Sequence, residues 1–240
     1  MQRFFMDVKD QNYIILDKED SNHVVKSLRM KVGENLCICD AKQNDYLCAI
    51  EKINNGEVFL KVLEKKKNET EPTINLHLFQ AVPKLNKLEF ILQKAVELGV
   101  TKITPVLTRN CVATITDKNI DKKTKRLEKI AKQAACQSQR GVLPKVFSVL
   151  NFKEAIEELK KKDLKILFYE YAKESLNNIE LKEKKEVGIL IGSEGGFTEQ
   201  EVLYAKEKGI LIKGLGKRIL RCETAPICAA SIIMYLTGNL

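Results

Sequence analysis

From Thr73 to the C-terminus the chain alternates strand-like and helix-like segments, and this rhythm limits its fold more than any other feature. Strand-like apolar runs occur at INLHLFQ (74–80), KITPVL (102–107), LKILFY (164–169), VGILIG (187–192) and ILIKG (210–214). Helical patterns fill the intervals at about 86–98, 118–139, 151–161 and 198–208, and a last one covers 224–236. Such alternation predicts α/β architecture, a parallel sheet covered by helices on both faces. Gly99 and Gly209 stand just past two of the helices, where a C-terminal glycine belongs.

The first third has a different texture. Apolar pairs at Phe4–Phe5 and Ile14–Ile15 precede LCIC (36–39), YLCAI (46–50) and VFLKVL (58–63), with turns supplied by Gly33 and Asn54-Asn55-Gly56. One short helix is expected over SNHVVKSLR, capped by Asp20 or Ser21. This is a small, mostly β domain. The charged stretch EKKKNETEP (64–72) lacks an apolar period and ends in proline, so it is read as the linker, giving domains 1–72 and 73–240. A length of 240 residues accommodates two such unequal units.

The net charge of +9 is concentrated in the middle of the chain. Residues 1–72 carry 12 basic against 13 acidic side chains, 73–160 carry 16 against 8, and 161–240 carry 13 against 11. A localised basic zone suits a polyanion, although a lysine-rich solvated surface gives the same count. The helix spanning Asp117 to Gln139 sharpens the point. Leu127, Ile130, Ala131, Ala134 and Ala135 form one apolar stripe, and Lys122, Arg126, Lys129, Gln133, Gln137 and Arg140 form a basic and amide stripe on another face. The second stripe suits a phosphate backbone, although a solvated helix face is the default reading of such a row.

Other classes are disfavoured. The longest apolar stretch, Ala225 to Leu236, is shorter than the roughly 20 residues that span a bilayer, and MQRFFMDVKD lacks the features of a signal peptide, so a cytoplasmic location is expected. The seven cysteines include no CxxC pair, which fits free thiols and no metal site. His23 and His77 have no nucleophile at a telling spacing.

Two loops are candidates to carry chemistry, the alternative being tight strand-to-helix turns with surface charges. Gly192-Ser193-Glu194-Gly195-Gly196-Phe197 follows a strand and precedes a helix, and its glycines permit close approach of a ligand to backbone. Its spacing is neither GxGxxG nor a P-loop, which disfavours a nucleotide-dependent oxidoreductase. The loop after the next strand, Gly214 to Pro226, holds Gly216, Arg218 and Arg221, with Glu223 or Thr224 where a helix cap is favoured. Loops at the C-terminal ends of parallel strands can wall one pocket.

In order along the chain, Gln93-Lys94-Ala95 with Glu97-Leu98-Gly99-Val100, then Gln137-Ser138-Gln139-Arg140, GSEGGF, and LGKRILRCETA (215–225) resemble the RsmE family. RFF (3–5) and NHVVKSLRMKVGE (22–34) resemble its PUA-like RNA-binding domain. Ser193 stands where the family usually has proline, and Cys222 where threonine is common. The resemblance implies a SPOUT methyltransferase domain with a C-terminal trefoil knot, a small PUA-like β-barrel before it, and a homodimer. It also implies that S-adenosylmethionine serves to methylate N3 of a uridine in 16S ribosomal RNA, free or within the small subunit. On that basis Gly192, Glu194, Gly195, Gly196, Leu215, Gly216, Ile219 and Leu220 are expected to hold the cofactor. Arg140 and Arg221 are expected beside the uracil, and Glu223 is expected to act as base or to orient an arginine. Phosphate contacts are expected from Arg3, Arg29 and Lys31 in the first domain and from Lys122, Arg126 and Lys129 on the basic helix.

Overall fold

The computed structural model describes residues 1–111, 117–176 and 183–240, and for 117–121 the backbone alone. The chain divides into two compact units, one made of 1–71 with 135–143, the other of 72–134 with 144–240. The first unit therefore takes back a short segment that lies far downstream in sequence, which a single boundary at 72 does not include.

The first unit is a five-stranded sheet of β1 (Arg3–Phe5), β2 (Tyr13–Ile15), β3 (Asn35–Cys39), β4 (Asn44–Asn54) and β5 (Glu57–Lys67), in the order β1-β3-β4-β5-β2. Only β1 and β3 run parallel. The turn between β4 and β5 is Asn55-Gly56 with φ of 49° and 84°, the left-handed pair that matches strand twist and that this dipeptide adopts readily. The hairpin carries β5 through Glu64–Lys67, so that the charged stretch read as linker is half strand: Lys65, Lys66 and Lys67 pair with Tyr46, Asp45 and Asn44. Helix α1 (Lys18–Asn22) is capped by Asp17, whose side chain accepts from the Asp20 N–H, and is followed by a π-helical turn at His23–Ser27. Asp20 and Ser21, expected as caps, are buried; the Ser21 hydroxyl bonds the backbone of Leu16 and Val58 instead. The core is built on Phe4, Leu16, Leu36, Ile38, Ile50 and Leu60.

The second unit is the expected parallel sheet. Its strands are β6 (Asn75–Ala81), β7 (Lys102–Leu107), β8 (Lys145–Val146), β9 (Leu150–Asn151), β10 (Leu164–Phe168), β11 (Glu186–Ile191) and β12 (Leu211–Lys213). The order is β12-β10-β11-β6-β7-β8, with β9 also on β7, and every pairing is parallel. Strands β6 and β11 are central and almost wholly buried, as continuous apolar runs in a doubly covered sheet should be. The helices are α2 (Lys87–Glu97), α3 (Asp117–Gln137), α4 (Phe152–Lys160), α5 (Glu199–Glu207) and α6 (Thr224–Leu236). Capping boxes start α4 (Asn151 with Glu154) and α5 (Thr198 with Glu201), satisfying N–H groups that a helix start leaves open. Gly99 and Gly209 take φ of 89° and 78° after α2 and α5.

Candidate active site

Three strand ends and the start of one helix converge on a cavity of about 370 Å³, within the size range of small-molecule sites. Phe168 and Glu170 come from the end of β10, Ile191 to Glu194 with Gly196 from the end of β11, and Leu215, Gly216 and Arg218 to Cys222 from the loop joining β12 to α6. The position obeys the rule that ligands in parallel sheets bind beyond the strand C-termini.

The glycine loop is shaped by close approach. A Cβ on Gly192 would lie 3.1 Å from the Gly196 Cα, and one on Gly195 would lie 2.8 Å from the Cβ of Asn110. Gly196 has φ of 58° and faces the Glu170 carboxylate, which a side chain there would strike. The Asn110 amide donates to the Gly195 carbonyl at 2.7 Å, and the buried Gln80 amide donates to the Gly192 carbonyl at 3.1 Å. The backbone is thus fixed from beneath. The Ser193 hydroxyl, buried in the cavity wall, has no hydrogen-bond partner among the described residues.

Lys87, at the start of α2, ties the two loops together. Its ammonium lies 3.1 Å from Glu194 and 3.2 Å from Glu223, which raises its pKa. Burial pushes the Glu194 carboxyl up, but a backbone N–H and Lys87 outweigh it and leave the group below the usual carboxylate range. Glu223 is also held low, first by the Cys222 thiol, which donates to it at 3.1 Å, and then by a backbone N–H and Lys87. Burial and the neighbouring carboxylates raise the Cys222 thiol to about 12, so it is a hydrogen-bond donor here and not a nucleophile.

Most expected cofactor residues meet at this cavity: Gly192, Glu194, Gly196, Leu215, Gly216, Ile219 and Leu220 line it, with Arg221 beside them. Gly195 packs behind the wall against Asn110. Glu223 precedes α6 at its N-cap, but its side chain makes no capping bond and binds Lys87 instead of an arginine. Lys87, Phe168, Tyr169 and Glu170 line the cavity without having been signalled by any motif.

Two arginines expected at the RNA are held in ion pairs within the first unit. Arg140 is 2% exposed, and its Nε and Nη2 both donate to Glu71 at 2.8 Å. Its fork is engaged within the first unit, because a guanidinium so far from water persists only when paired. Arg3 is likewise buried and donates to both oxygens of Asp45, at 2.5 and 3.1 Å, so it is a core ion pair and not a phosphate contact. Arg29, Lys31, Lys122, Arg126 and Lys129 are exposed, with Arg126 paired to Glu89 at 2.8 Å.

Residues 69–234 match the RNA methyltransferase domain, and residues 16–63 match the RNA methyltransferase PUA domain. The chain belongs to the RsmE family of RNA methyltransferases. It is 32% identical to ribosomal RNA small subunit methyltransferase E of Bacillus subtilis over 99% of this chain and 97% of that one. It is 36% identical to the same enzyme of Mesomycoplasma hyopneumoniae, over 95% and 96% of the two chains. Among solved structures it resembles the Neisseria gonorrhoeae methyltransferase E bound to S-adenosyl methionine, with a TM-score of 0.91 at 28% identity and 98% coverage of both chains. The RsmE relatives thus match both units, and the parallel sheet with its C-terminal cavity is that of a SPOUT methyltransferase.

Proposed function

We propose that this protein transfers a methyl group from S-adenosylmethionine to N3 of a uridine in 16S ribosomal RNA. The observation that carries the reading is the cavity between the glycine loop and the Leu215–Cys222 loop in a chain of the RsmE family. The residues fit the cofactor. Crowded glycines leave room where side chains would fill it, Phe168, Ile191 and Leu220 offer apolar walls to a heterocycle, and the Ser193 hydroxyl lacks a partner among the described residues. Gly192, Glu194, Gly196, Leu215, Gly216, Ile219 and Leu220 would hold it, with Gly195 supporting the loop. When bound, the cofactor supplies a methyl group on a sulfonium.

The chain's own part is alignment and charge. Holding the acceptor base in line with the donor removes most of the entropic barrier. The uracil N3–H must ionise, and Arg221, exposed at the cavity, can stand beside the anion as it develops. Glu223, which pairs with Lys87, would take that proton or orient the arginine. Arg29, Lys31, Lys122, Arg126 and Lys129 would contact phosphates, so RNA affinity should fall steeply with salt.

The small-subunit RNA, free or assembled, is the proposed substrate, in the cytoplasm; no helix among the described residues is long and apolar enough to cross a membrane. A homodimer formed through α6, and the threading of the C-terminal segment into a trefoil knot, belong to the same proposal. Helix α6 carries no charged residue, and Tyr235 and Leu236 are 71% and 47% exposed, a combination that asks for a covering partner. Mass-spectrometric nucleoside analysis of small-subunit RNA from cells with and without the gene tests the reading. Loss of one 3-methyluridine, restored by protein and S-adenosylmethionine, is expected; an unchanged profile overturns the assignment of base and atom.

A further inference from the structure

Three carboxylates stand at or beside the cavity, and two of them, Glu194 and Glu223, are taken by Lys87. Glu170 is the third. It is exposed, lines the cavity, and makes no hydrogen bond or ion pair among the described residues. An ionised carboxylate only accepts, so whatever completes it must bring donors. Its place in the sheet narrows the choice. Strands β10 and β11 are parallel neighbours with Phe168 beside Ile191, and both chains run on past that pair, one to Glu170 and the other into the glycine loop. There the Glu170 carboxylate lies against Gly196, where an added methyl group would have to push it aside. In α/β sheets that bind nucleotides at a glycine-rich loop, an acidic side chain presented nearby accepts from the ribose hydroxyls. A vicinal diol offers two donors to two carboxylate oxygens.

We infer that Glu170 binds the ribose diol of the adenosyl cofactor, an assignment that rests on the function proposed above. The competing partner for a free carboxylate is the positive sulfonium, but Glu170 is open to solvent, where Coulomb attraction is weakened while paired hydrogen bonds keep their geometry.

Titration calorimetry on the full-length protein separates these outcomes. The ligands are S-adenosylmethionine, S-adenosylhomocysteine and the 2′-deoxyribosyl analogue of the latter, and the proteins are wild type, Glu170→Ala and Glu170→Gln. If wild type binds neither of the first two ligands, the proposed cofactor is wrong and the inference falls with it. If wild type binds, Glu170→Ala should weaken both by the same factor, about tenfold to a hundredfold, and Glu170→Gln by less. The 2′-deoxy analogue should bind wild type more weakly than its parent and lose less than its parent in Glu170→Ala, since only its 3′-hydroxyl remains to donate. Unchanged affinity in Glu170→Ala, a loss confined to S-adenosylmethionine, or a deoxy penalty that survives the substitution would each overturn the ribose assignment while leaving the cofactor in place.

Discussion

Replacing Arg140 should unfold the first unit before it disturbs the chemistry. The Glu71 carboxylate accepts from Arg140 Nε and Nη2 at 2.8 Å and from the backbone N–H groups of Gly141 and Val142 at 2.8 and 3.2 Å, with the two side chains 8% and 3% exposed. Removing one partner of a buried pair strands the other, at about 3–5 kcal/mol. After Arg140→Ala the carboxylate still has two backbone donors, so the loss should lie near the lower end. After Glu71→Ala the guanidinium and both N–H groups lose the Glu71 carboxylate, and the loss should be at least as large. For a chain of this size these values correspond to a fall in Tm of roughly 6–20 °C. The double variant Arg140→Met with Glu71→Leu should recover part of it, because neither member of the ion pair is left behind. Guanidinium unfolding of the three variants, with S-adenosylmethionine titrated at low temperature where each is folded, makes the comparison. An Arg140→Ala protein within about 1 kcal/mol of wild type that had lost single-turnover methyl transfer would refute this account and return Arg140 to the reacting base.

Three further outcomes are expected. His77 is buried against Phe79 with its Nε2 2.8 Å from the Thr104 hydroxyl, and burial, followed by Lys162 and Lys102, lowers its pKa to about 3. A histidine held neutral stabilises the fold above pH 6.5 and loses that contribution as pH falls toward 3, about 5 kcal/mol in all; unfolding between pH 6.5 and 5, above the carboxylate range, should show a slope in wild type that His77→Gln flattens, and equal slopes would contradict it. Thr198→Ala removes the cap of α5 and should cost about 1 kcal/mol, seen as a Tm lowered by roughly 2–4 °C; no change would mean that the capping box contributes nothing. Ser193→Ala deletes a buried hydroxyl with no partner among the described residues and should raise stability of the cofactor-free protein by about 1–2 kcal/mol, whereas a loss would reveal a bond to that hydroxyl.

The parts of this molecule that could be read from sequence are those with a period or a punctuation mark. Strands β6, β7, β10, β11 and β12 and helices α2 to α6 were legible because apolar residues recur at two distinct spacings and Gly99 and Gly209 close two of the helices. Strands β8 and β9, two residues each, are too short to carry a period. The run from Glu64 to Lys67 hid its strand because what holds it is the hairpin partner across Asn55-Gly56, not its own composition. The glycine loops announced themselves, whereas Lys87 and Glu170 are single charges made meaningful only by the strand ends and helix start beside them. Arg140 shows the opposite failure. It stands in a basic stripe by helical spacing, yet its partner lies 69 residues earlier in the chain, and no local pattern records that the helix has ended and the side chain has turned inward.

The return of 135–143 to the first unit also sets a clock on synthesis. A domain that is contiguous in sequence can close as soon as it leaves the ribosome. Here the first 71 residues emerge without the segment that carries Arg140, and more than sixty further residues must be translated before Glu71 can be paired. At roughly 5–20 residues per second that is a wait of several seconds. During it the nascent chain holds an unneutralised carboxylate at a site the finished fold excludes from water, so the two units complete themselves together and not in order.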